Sequence, residues 1–172
     1  MIRLREIYFV NADALAREFR DGNVDEAIAL KHLIVSLILS GIGYENPLSV
    51  DFNGADLPGF VTFAGVAMFL LVSIIAYYGT WLTFQANRKG DGSDFFMRFA
   101  ALSLPIGIQL MVLFLFVGAI LAFIAYLLAT QFGAIGGGLS VALFYVAAVI
   151  FQGAFFLRMR SCILISSGAS ID

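Results

Sequence analysis

The sequence predicts an all-α integral membrane protein: four transmembrane helices, N- and C-termini cytoplasmic, with short interfacial amphipathic helices. Three observations predict it: an apolar excess, long runs without charge, and basic residues confined to a few segments. Hydrophobic residues make up 61% of the 172 and charged residues 13%, against about 45–50% and about 25% in soluble domains. Mean hydropathy is +0.95. A chain this short leaves much of its surface exposed, so it cannot hide that excess in a core. Lipid must solvate most of it.

A crossing helix needs roughly 20 mostly apolar residues. Gly59–Phe84 and Ala100–Ala129 each carry no charge, which predicts spans at about 59–84 and 104–129. The second is trimmed because Ser103 and Pro105 resemble an N-cap followed by an early-turn proline. Asp94–Ala101 then becomes a separate interfacial helix, with Phe95, Phe96 and Phe99 among the headgroups and Asp94 and Arg98 facing water. A further span covers about 135–157, where Arg158 and Arg160 stop it. The first span, about 24–43, is shorter and holds Lys31 and His32. Asn23 and Glu26 give it an N-cap signature. A re-entrant or surface helix would also suit its length.

The ten basic residues fall in three groups: Arg3, Arg5, Arg17, Arg20 and Lys31; Arg88, Lys89 and Arg98; Arg158 and Arg160. The 44–58 loop has none and carries Glu45, Asp51 and Asp56. Four crossings put every basic residue on one side, as the positive-inside tendency expects, whereas three would leave the N-terminal five outside. The expected address is therefore a bacterial inner membrane with both ends in the cytoplasm. The domain plan is a tail over 1–22, a transmembrane domain over 23–160 and a C-terminal tail over 161–172. The apolar run starts too late for a cleaved signal peptide, and no A-x-A site follows it.

Within the first tail, Ala12–Arg20 reads as a short amphipathic helix, capped by Asn11 and ended at Asp21-Gly22. Leu15 and Phe19 give it a narrow apolar face for the membrane surface, a partner, or the protein's own cytoplasmic loop. The short 130–139 connection predicts an antiparallel hairpin between spans three and four, with Gly133 and Gly137 as turn residues. Small residues suited to close packing recur at Gly118, Ala122, Ala125 and Ala129 in the third span and at Ala148 and Gly153 along the fourth.

Polar groups are expensive in hydrocarbon and therefore informative. His32, Tyr77, Tyr78, Gln109 and Gln152 all fall in the cytoplasmic halves of their spans and are the candidate intramembrane polar cluster. Gln109 and Gln152 are expected to reach each other across antiparallel helices. Arg88, Lys89 and Arg98 are the candidate contacts for anionic headgroups or a partner. The Arg88–Asp94 segment faintly suggests a calcium or phosphate loop, but a glycine-containing turn accounts for it.

Catalytic equipment is scarce. One His and one Cys exclude HExxH, CxxC and Cys/His zinc sets. No Asp or Glu falls in the interior of a span, which argues against an aspartyl intramembrane protease and carboxylate-driven ion coupling. The expected function is therefore non-catalytic, a subunit or assembly partner of a larger membrane complex. A small transporter or channel protomer, working as a homo-oligomer with an inner-leaflet polar pocket, is the alternative. No cofactor or metal is expected. The expected partners are the lipid bilayer and other membrane-protein chains. Nucleic acid is not one of them, because net charge is −2 and no basic stripe stands out.

Overall fold

The computed structural model of the chain describes residues 8–43 and 59–169. The acidic 44–58 loop and the basic pair Arg3 and Arg5 lie outside them. Four helices follow in order: α1 (Ala12–Arg20), α2 (Glu26–Gly43), α3 (Gly59–Lys89) and α4 (Phe95–Ser166). The described residues contain no strand. Three segments are long and apolar enough to cross a membrane: Val66–Lys89, Phe95–Gly133 and Gly138–Ser166.

α1 has the bounds and the cap that its sequence implies. The Asn11 side chain accepts from the Ala14 N–H at 3.0 Å, and Gly22 leaves the helix with φ +72°. α2 begins slightly later than the Asn23 signature suggests. Asp25 is its cap, its carboxylate accepting from the Ile28 N–H, the third of the helix, at 2.7 Å. Asn23 turns back instead and donates to Glu18 at 2.8 Å.

α4 departs from expectation at two places. The proposed interfacial helix over Asp94–Ala101 is not a separate element, because the helix runs unbroken from Phe95 through Pro105. Pro105 only withholds one N–H from the Ala101 carbonyl, and the Ser103 hydroxyl donates to the Ala100 carbonyl at 2.7 Å rather than capping a new start. The last helix also continues past Arg158 and Arg160 to Ser166, so part of the expected C-terminal tail is helical. There Cys162 and Ile163 are fully buried, which holds the extra turns. As the sequence implies, α4 is two limbs joined at Gly133, whose φ of 56° and ψ of −128° suit only glycine.

Around that turn the limbs form the expected antiparallel hairpin. The Ser140 hydroxyl donates to the Ala125 carbonyl at 3.3 Å, and the Phe114 and Phe151 rings meet edge-on at 5.0 Å. α3 runs parallel to the second limb, since Gly79 lies against Phe156 and, further along, Gly90 against Ser167. α2 runs parallel to the first limb: Leu30 shares a cavity with Phe99, and Leu39 shares another with Met111.

The close approach between helices occurs at Gly79, where a Cβ would stand 2.2 Å from the Phe156 ring. At Gly118 and Gly153 nothing lies within 4 Å of an added Cβ, so neither of these glycines is a point of close helix approach.

Burial divides the molecule lengthwise. Leu15, Leu102, Ile106, Met159 and Ile163 are wholly buried at one end, where α1 packs across the end of the second limb. From Met111 onward the first limb is mostly bare, with Phe116 73% and Tyr126 66% exposed. The first limb has 39 residues and contains an 18-residue window of mean hydropathy 2.8; its length is about 58 Å at roughly 1.5 Å per residue. A hydrocarbon core of about 30 Å cannot contain it upright, so the limb must tilt or project.

Candidate functional site

The charged and polar side chains of the described residues gather at the packed end, and most of them are joined to the protein itself. Arg98 is 4% exposed, which corrects its assignment as a water-facing contact. Its guanidinium grips both Asp91 oxygens at 2.6 and 2.5 Å and donates to the Asn87 side-chain Oδ1 at 2.9 Å. The Asn87 amide in turn donates to the Ser93 carbonyl at 2.9 Å. Asp91 also accepts from the Ser93 N–H at 3.0 Å. The Arg98 guanidinium beside it holds its carboxyl down at about 2. Burying a guanidinium is costly unless it is paired and hydrogen-bonded, and the 90–94 turn supplies both.

The same turn is fastened to the C-terminal end of α4. The Asp91 N–H donates to the Ser167 carbonyl at 3.0 Å. Gly90 permits this approach, because a Cβ there would stand 2.1 Å from that oxygen. The Arg88–Asp94 segment is thus a structural turn with its acid committed to an arginine. Arg88 and Lys89, by contrast, remain exposed.

The N-terminal segment forms the second junction. His32 is fully buried, its Nδ1 2.8 Å from the Ile28 carbonyl and its Nε2 accepting from the Tyr8 N–H at 3.0 Å. These contacts fit one neutral tautomer, with the proton on Nδ1. The Gln109 amide donates to the Val10 carbonyl. Residues 8–10 therefore lie across both α2 and the first limb of α4. Behind them, Arg158 pairs with Asp13 at 2.7 Å and fixes α1 to the second limb.

The five-residue polar cluster does not form as one pocket. His32 and Gln109 are linked only through residues 8–10. Gln109 donates to the Val10 carbonyl and makes no hydrogen bond to Gln152; Gln152 lines a small cavity with Phe114 and Phe151. Tyr77 and Tyr78 form an edge-on pair at 5.4 Å and are 69% and 59% exposed. Their place is outward, where tyrosine suits a membrane–water boundary. Sequence reasoning missed Asn87 and Asp13. Their signal was weak: a polar residue just before a glycine turn, and an acid in the first turn of an amphipathic helix.

No family model, curated protein or solved structure matches this chain.

Proposed function

We propose that the protein is a non-catalytic multi-pass component of a larger membrane complex, held in a bacterial inner membrane by four crossings with both ends in the cytoplasm. The observation that carries this reading is the seat of α1 against Met159, Cys162 and Ile163 at the end of α4. It puts the first and last helices at one end of the molecule. α3 begins at the opposite end, as its parallel register with the second limb requires. This arrangement supports a crossing between Arg20 and Gly59, and with it the even number of crossings proposed here. The charge distribution then supports that shared end as the cytoplasmic one.

The polar chemistry of this end joins its own segments, while Arg88 and Lys89 stay exposed beside the apolar surface of Trp81 and Leu82. That combination suits docking of another chain. Mass measurement of the native assembly, purified in mild detergent from its own membrane, tests the reading. The expected result is a defined set of other chains in fixed ratio, lost when Arg88 and Lys89 are replaced by Glu. A monomer without companions would refute it, and a pure homo-oligomer would favour a pore or transporter instead. Single cysteines at positions 17, 88 and 160, in a Cys162→Ser background, should all label from the cytoplasmic side only.

A further inference from the structure

Between the first turns of α2 and the start of α4 lies an open cavity of about 750 Å³, within the roughly 300–1,000 Å³ of small-molecule sites. Its walls are apolar and aromatic: Leu30, Leu33, Phe96 and Phe99 are among them. Among the described residues its only charged lining residues are Glu26 and Asp94, and no Lys or Arg lines it. Among the described residues neither carboxylate takes part in an ion pair. Asp94 stands at the N-cap of α4, yet its side chain caps no N–H, and its backbone sits at φ 50°. A capping aspartate normally points back at its own helix; this one leaves its carboxylate free. Phe96, next to it, is 84% exposed.

We propose that this cavity binds a lipophilic organic cation, an ammonium or phosphonium head carried on an apolar body. Charge complementarity selects this occupant. Two acids, with no base among the described lining residues, repel anionic lipid headgroups and free phosphate. Aromatic faces attract a weakly hydrated cation and cover its apolar substituents. A small metal ion would find only two carboxylates in an apolar wall, short of the six to eight oxygens that calcium takes. The site does not depend on the subunit role, so either can fail alone.

The test uses the full-length protein in nanodiscs, titrated with tetraphenylphosphonium and with the isosteric anion tetraphenylborate. Binding to empty nanodiscs is subtracted from each. Saturable binding of the cation and none of the anion is expected. Glu26→Gln combined with Asp94→Asn should weaken cation binding by about tenfold, equivalent to roughly 1.4 kcal/mol. Both changes keep the backbone, since Asn tolerates a positive φ as Asp does. Leu33→Trp, which fills the cavity and leaves its charge alone, should weaken the cation as well. Equal saturable binding of both ions, no saturable binding of either, or an unchanged affinity in the double variant would overturn the proposal.

Discussion

Arg98 and Asp91 form a two-pronged ion pair in which the cation is almost wholly buried and the acid is 46% exposed. The asymmetry decides which partner matters more. Removing Asp91 leaves a guanidinium inside the protein with fewer acceptors. Removing Arg98 leaves an acid that water can still solvate.

Asp91→Asn should therefore destabilise the protein more than its surface position suggests, by about 1–3 kcal/mol. Arg98→Met should cost less than Asp91→Asn, because it removes the buried charge altogether and keeps most of the packing volume. Thermal unfolding in detergent compares the two. The reverse order would show that the arginine contributes mainly through its own hydrogen bonds.

The same pair sets an acid limit. The Asp91 carboxyl is held down at about 2, while an unfolded aspartate titrates near 4. A carboxyl with a depressed folded value contributes stability that is fully present above the unfolded value. That contribution fades as pH falls toward the folded one. The stability gap between wild type and Asp91→Asn should be constant from pH 7 to about 5, then narrow down to pH 2. Unfolding midpoints measured across that range check it.

Gly79 gives a packing prediction. Alanine in a helix is ordinarily better than glycine by about 1 kcal/mol. Here a Cβ would meet the Phe156 ring at 2.2 Å, and overpacking of that kind costs about 1–3 kcal/mol. Gly79→Ala should therefore destabilise, and Phe156→Leu should rescue part of the loss in the double variant. Additive effects of the two changes would show that the ring does not oppose the Cβ.

These particular residues show what the sequence could and could not convey. α1, its Asn11 cap and the Gly133 hairpin depend on local chemistry, and local chemistry is written in consecutive residues. The long charge-free runs likewise announce helices that lipid can solvate. Arg98 was misassigned because its nearest partners are created by the turn at 90–94, which brings Asn87 and Asp91 back onto α4. Gly79 was passed over for Gly118 because a small residue shows only that close approach is allowed. Which helix face meets which is a tertiary fact. Gln109 had the right character for an internal polar contact, but its partner is the backbone of residue 10, and backbone acceptors leave no mark in a sequence.

That last contact supports a prediction about the N-terminal segment. His32 and Gln109 hold residues 8–10 from two different helices, through the Tyr8 N–H and the Val10 carbonyl. Each bond contributes about 0.5–1.5 kcal/mol, so losing either should loosen the segment without unfolding the helices. His32→Ala and Gln109→Leu should each raise amide hydrogen exchange at residues 8–11. Exchange in α1 should stay close to wild type, since Leu15, Ala16 and Phe19 remain packed on the second limb of α4. The double variant should free the segment fully and expose it to protease ahead of Arg17. Protection that survives in the double variant would mean that the packing of Tyr8 against the core, rather than the two hydrogen bonds, holds the segment down.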